Sequence, residues 1–119
     1  MTKNKIEILE TIRSSDKHLS AEEIYFTVKG KNPSVSLSTV YRNLGLLVDE
    51  GYIKKYEIDS EGKCIYDKRI YPHAHAINDQ SGEVIDIIDD NILKMLESYV
   101  DGDITSYNLV IHFSNKKSQ

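Results

Sequence analysis

The 119 residues suffice for one compact domain or two small ones that lean on each other, and they carry 15 Lys/Arg against 19 Asp/Glu, a net charge of −4 and one cysteine. One thiol excludes an internal disulfide and any cysteine-only metal site within a chain, and no apolar run is long enough for a transmembrane helix. The opening "MTKNKIEILETI" lacks the apolar core and small-residue cleavage site of a signal peptide, so a soluble, cytoplasmic protein is expected. The charge is unevenly placed: residues 1–55 hold nine Lys/Arg against seven Asp/Glu, and residues 56–119 six against twelve. A mildly basic first half and an acidic second half suit two different tasks, although an acidic face is also simply a solvated one.

In chain order, Ile6, Leu9 and Ile12 recur at helical spacing and predict a first helix. "SAEEIYFTVKGK" opens on Ser20 with Glu23 three residues later, the pattern of a capping box, and Ile24 and Val28 give this second helix its apolar face. "NPSVS" reads as a turn. "SLSTVYRNLGLLVDEG" follows as a third helix, with Leu37, Val40, Leu44 and Leu47 on one face and Gly51 as its stop. "YIKKYEI" and "KCIYD" then read as two strands joined by the hairpin signal "DSEG". Three helices followed by a hairpin are the order of a winged helix-turn-helix, in which the third helix reads DNA. Its outward side carries Ser38, Thr39, Tyr41, Arg42 and Asn43, types suited to phosphate and base-edge contacts, and Lys54 and Lys55 beside the wing suit phosphates. An ordinary amphipathic helix with solvated charges has the same appearance.

After Asp67 the character changes. "PHAHAI" and "GEVIDI" read as short strands, "DDNILKMLESYV" as a helix lined by Ile92, Leu93, Leu96 and Val100, and "TSYNLVIHF" as a last strand. A unit this small buries little by itself, and a second copy would cover it. The closing "NKKSQ" reads as a frayed tail. The expected fold class is α+β: a winged helix-turn-helix over residues 1–67, then a small α/β dimerisation domain over 68–119.

His-x-His on a strand puts both imidazoles on one face, which offers two nitrogen ligands to one metal, though such a pair also arises by chance on a surface. With His18, Asp67 and Asp86 added, the set would be three histidines and two aspartates without thiolate. Such a set suits Fe(II) or Mn(II), with Zn(II) and Cu(II) generally binding it at least as tightly. Spacing alone does not place His18 and Asp67 in the site.

From "KIEILETI" to "NLVIHF" the chain resembles the ferric uptake regulator family of bacterial metal-dependent repressors, most specifically in "HLSAEEIY", "VSLSTVYRNLGLLVDEGYI" and "YDKRIYPHAHAINDQSGEVIDI". Within it, the resemblance is nearest to the peroxide-sensing branch, whose regulatory metal is held at positions matching His18, Asp67, His73, His75 and Asp86. That implies one Fe(II) or Mn(II) site per chain, with Zn(II) admissible in vitro. It also implies oxidation of ligand histidines matching His18 and His73 as the redox signal, and operator DNA and a second copy as partners. The chain departs from the family where the first structural-zinc cysteines usually stand, here Asn78 and Ser81. The second pair has no counterpart, so no four-cysteine zinc is expected. Pro72 and Ala74 stand where some relatives have ligands of a further site, and none is expected here. Cys64 and His112 read as structural strand residues.

The implied function is a dimeric, metal-activated, peroxide-sensing transcriptional repressor, not an enzyme. A sensor of iron, manganese or zinc availability is the alternative within the class. A non-haem iron enzyme and a metal-free DNA binder are the alternatives outside it, and turnover of a small substrate or metal analysis of anaerobically purified protein would separate them.

Overall fold

The computed structural model describes residues 1–116, so the last three residues of the expected tail lie outside the described ones. The chain divides into two compact units, Met1–Ile70 and a second beginning at Tyr71.

The first unit is a winged helix. It comprises α1 (Lys3–Ser14), α2 (Ala21–Lys31), α3 (Leu37–Asp49) and an antiparallel hairpin of β1 (Lys54–Glu57) and β2 (Cys64–Asp67). The expected capping box forms: Ser20 Oγ accepts from the Glu23 amide at 3.2 Å, and Glu23 Oε1 accepts from the Ser20 amide at 3.0 Å. Ser36 caps α3 by accepting from the Thr39 amide at 3.1 Å. Gly51 ends α3 at φ 82°, a left-handed turn that suits a residue without Cβ. In the wing, Asp59 Oδ1 accepts from the Glu61 and Lys63 amides, each at 2.9 Å, and Gly62 takes the positive φ of 86°.

One core holds these elements together. Ile8, Leu9 and Ile12 of α1 pack with Ile24 and Val28 of α2 and with Val40, Leu44 and Leu47 of α3, closed by Val35, Ile53 and Tyr66. Two expected core positions do not belong to it. Ile6 is 40% exposed and Ile8 is fully buried in its place. At about 100° per residue, Ile6 falls roughly 60° beyond Leu9, outside the stripe centred on Ile8 and Ile12. Leu37 is the first residue of α3 and is 36% exposed, one turn ahead of the stripe that Val40 begins.

The second unit is a three-stranded sheet of order β4-β3-β5 with one helix. β3 (Ala74–Asn78) pairs antiparallel with β4 (Val84–Ile87) and parallel with β5 (Val110–Phe113). A parallel pair needs a crossover, and α4 (Asp90–Glu97) lies within it. The central position of β3 accounts for its almost wholly buried run, Ala74 to Ile77. The last strand is shorter than the expected "TSYNLVIHF", because residues 105–108 lie outside the ladder and Leu109 contributes only its carbonyl. Of the helix lining, Ile92, Leu93 and Leu96 are half-buried, while Val100 lies beyond α4 and is exposed.

Candidate metal centre and nucleic-acid interface

Both candidate acid–histidine groups arise from strand register. In the first unit, Leu19 bridges Tyr66, with the Tyr66 amide donating to the Leu19 carbonyl at 2.8 Å. The flanking residues, His18 and Asp67, are thereby set opposite each other, with His18 Nε2 3.4 Å from Asp67 Oδ2. The other carboxylate oxygen, Oδ1, accepts from the Arg69 amide at 3.0 Å, and the Arg69 guanidinium lies 3.6 Å from it. One oxygen of a 97% buried carboxylate is thus held by its own chain while the other faces the imidazole.

In the second unit, His75 lies directly across from Asp86 in the β3–β4 ladder. The turn after Asn78 sets that register: Gly82 at φ 76° returns the chain so that the Asn78 amide donates to the Glu83 carbonyl at 3.0 Å. The His75 amide also donates to the Leu109 carbonyl at 3.0 Å, which anchors it from the β5 side. His73 precedes β3 by one residue, on the same face as His75. Nε2 of His73 and Nε2 of His75 each lie 3.3 Å from the same oxygen, Asp86 Oδ1. Both imidazoles are essentially without solvent contact.

The tautomer of His73 follows from its other nitrogen. Nδ1 lies 2.9 Å from the Tyr71 carbonyl oxygen, which can only accept, so Nδ1 carries the proton. In the neutral ring Nε2 then presents its lone pair toward an anionic oxygen, an arrangement that a cation between them makes favourable. A carbonyl on the distal imidazole nitrogen is the support that metal-bound histidines commonly have. The distances point the same way. Contacts of 3.3–3.4 Å exceed the ~2.7–2.9 Å of a charge-assisted hydrogen bond. They match the roughly 3.3–3.4 Å between neighbouring ligand atoms that each lie ~2.0–2.1 Å from a tetrahedral ion; at the same radius an octahedral ion would bring them to about 2.8–3.0 Å. With nitrogen and oxygen donors and no thiolate, the residues present fit a borderline or hard divalent ion.

On α3, Ser38, Tyr41 and Arg42 are exposed, Thr39 is half-buried, and Lys54 and Lys55 of β1 are exposed. Asn43, expected on the outward side, is instead buried at 5% exposure, and its amide donates to the Thr39 carbonyl at 2.9 Å. It falls one position before Leu44 and four after Thr39, so it sits at the shoulder of the apolar stripe. The expectation placed it outside because its type is polar; packing decided otherwise. Two groups that the sequence reading passed over join this face. Ser36 Oγ lies 3.1 Å from Ser38 Oγ and 2.8 Å from Thr39 Oγ1, which gathers three hydroxyls at the start of α3. Glu22 of α2 accepts a hydrogen bond from the Tyr41 hydroxyl at 2.8 Å. That bond holds the Glu22 carboxyl below its usual range and pushes the Tyr41 phenol up. The Ser36 signal was legible as a cap; the Glu22 contact joins two helices and has no local signal.

A winged helix joined in one chain to buried histidine–aspartate groups has the make-up of a metal-responsive DNA-binding regulator. Residues 1–112 match the model of the ferric uptake regulator family. The chain is 32% identical over 109 residues to the ferric uptake regulation protein of Bacillus subtilis, spanning 85% of this chain and 72% of that one. It is 28% identical over 116 residues to the peroxide-responsive repressor PerR of Staphylococcus epidermidis, spanning 94% and 76%. Its fold superposes with a TM-score of 0.82 on the ferric uptake regulator of Pseudomonas aeruginosa with manganese, at 28% identity, over 98% of this chain and 90% of that one. The chain belongs to the ferric uptake regulator family.

Proposed function

We propose that the protein is a homodimeric, cytoplasmic repressor in which His18, Asp67, His73, His75 and Asp86 hold one Fe(II) or Mn(II), and that peroxide is its signal. The observation that carries this is the pair of Nε2 atoms at 3.3 Å from one Asp86 oxygen, with the His73 tautomer set by Tyr71. His18 and Asp67 belong to the first unit and His73, His75 and Asp86 to the second. Exposed Ile85, Ile88, Met95, Tyr99 and Val100 on the second unit support a second copy as cover. No helix among the described residues is long and apolar enough to cross a membrane.

Bound Fe(II) would supply activation of peroxide beside its own ligands, with no net change in the metal. The chain's contribution is an oxidisable imidazole, at His18 or His73. One peroxide transfers one oxygen to a ring carbon, the ring proton moves to the departing oxygen, and water leaves. An oxygenated imidazole ligates poorly, and the protein releases DNA. With a single thiol in the sequence, a disulfide within one chain cannot supply this response. Similarity to a peroxide-responsive repressor supports the reading. A sensor of iron, manganese or zinc availability is the second reading, favoured by the higher identity to a ferric uptake regulation protein. Mass spectrometry after brief peroxide exposure separates them. Peroxide sensing gives one added oxygen on the peptide bearing His18 or His73 in the Fe(II) form, none in the Mn(II) form, and loss of DNA binding only in the former. Unmodified histidines with DNA binding retained leave the availability sensor.

DNA reading is assigned to Ser38, Thr39, Tyr41 and Arg42 of α3, with Lys54 and Lys55 on phosphates. Arg42→Ala is expected to weaken operator binding by ~1–3 kcal/mol if it bonds a base edge. Lys54→Ala should weaken all duplexes alike and reduce the salt slope by about 1. Operator affinity unchanged in Arg42→Ala, measured by fluorescence anisotropy, would show that α3 is not the reader.

A further inference from the structure

The Tyr41 hydroxyl has one proton, and the structure commits it. The hydroxyl donates to Glu22 Oε1 at 2.8 Å, from an exposed position on α3 to the first turn of α2. A carboxylate accepts only, and it is well placed near the positive end of α2, so the direction of the bond is fixed. What the phenol oxygen can still offer outward is acceptor lone pairs. In the major groove, adenine N6 and cytosine N4 are donors, whereas guanine O6 and N7 and thymine O4 are acceptors. A hydroxyl with its proton free serves either kind by rotating; a hydroxyl pinned by a carboxylate serves donors and repels acceptors. Lys55 and Lys63 line the same cleft as Glu22 and Tyr41.

We propose that Glu22 is a specificity-determining positioning residue: by holding the Tyr41 proton it makes Tyr41 read an amino-bearing base edge, adenine or cytosine, in preference to guanine or thymine. This rests on the DNA-reading assignment of α3. Glu22 itself need not touch DNA. Holding the ring in place before docking lowers the ordering cost of an exposed aromatic side chain. The Glu22 carboxyl, held below its usual range first by the Tyr41 bond, stays ionised at neutral pH.

The test uses the metal-loaded full chain and a duplex that it selects from a random pool. At each adenine or cytosine of that duplex, the base is replaced by its analogue lacking the exocyclic amine, purine or 2-pyrimidinone. At one position, wild type and Glu22→Gln should lose about three- to tenfold in affinity, the span of one hydrogen bond. Gln retains an acceptor for the Tyr41 proton, so it preserves the effect without the charge. Tyr41→Phe should lose nothing there, and Glu22→Ala should accept a keto base at that position within about twofold of the amino base. An equal loss in Tyr41→Phe, or full preference retained in Glu22→Ala, overturns the inference alone. Wild-type protein that selects no sequence overturns the DNA-reading assignment and the inference together.

Discussion

Asp86→Asn is expected to remove metal-activated DNA binding while the protein stays folded. The substitution keeps the volume and one oxygen of a side chain that is 12% exposed, so packing between β3 and β4 is preserved. What it removes is the negative charge that serves two imidazole nitrogens at once. A neutral amide oxygen is a far poorer partner for a divalent ion, and its NH2 can turn toward Nε2 of His73 and compete with metal there. Supporting residues around metal sites typically cost 10–100-fold in affinity when lost. Loss of the charged group itself should reach at least the upper end, roughly a hundredfold. His73→Ala should act in the same direction, with some loss of stability because the ring is wholly buried. Anaerobic titration with Mn(II), read by operator binding and by calorimetry, measures both. Unaltered metal-dependent affinity in both variants would sink the metal-centre assignment.

Leu44→Ala is expected to have the largest effect on stability. Leu44 has no solvent exposure and lies in the core shared by α1, α2 and α3. Removing its side chain costs ~2–5 kcal/mol, depending on how far the cavity collapses. A unit of this size has a total margin of about the same order, since small domains bury a smaller fraction of their surface. Leu44→Ala should therefore unfold much of the first unit at physiological temperature and abolish DNA binding with or without metal. That separates it from Asp86→Asn, whose defect is confined to the metal-dependent part. Leu46, two positions away and 43% exposed, is the control, and Leu46→Ala should change urea-unfolding stability by no more than ~0.5 kcal/mol. A loss below about 1 kcal/mol in Leu44→Ala would mean that α3 does not present this face to the core.

Local chemistry in the sequence determined much of the first unit. Ser20 and Glu23 close a cap through their own backbone, Gly51 takes a left-handed turn that few residues share, and Asp59 to Gly62 make a hairpin from neighbours. Each is decided within a few residues, so it was readable without any partner. His73 and His75 stand out by their His-x-His spacing, with Asp86 close by, whereas His18 and Asp67 are joined to them only by the resemblance.

Only the tertiary structure decided which way side chains turn and which of their atoms meet. Asn43 is polar, which predicts an outward position, yet it is buried, because a side chain at the shoulder of a helix stripe can satisfy its amide on the Thr39 carbonyl and leave water. Ile8 took the core position expected for Ile6, since helix rotation is set by the partners across α2 and α3 and not by α1 alone. The contact of Asp86 with two histidines depends on a strand register that a one-residue slip would reverse. The Glu22–Tyr41 bond spans 19 residues and two helices. Composition and periodicity report the average surroundings of a residue type, whereas hydrogen-bond direction and ligand geometry depend on atoms that meet only after the chain has folded.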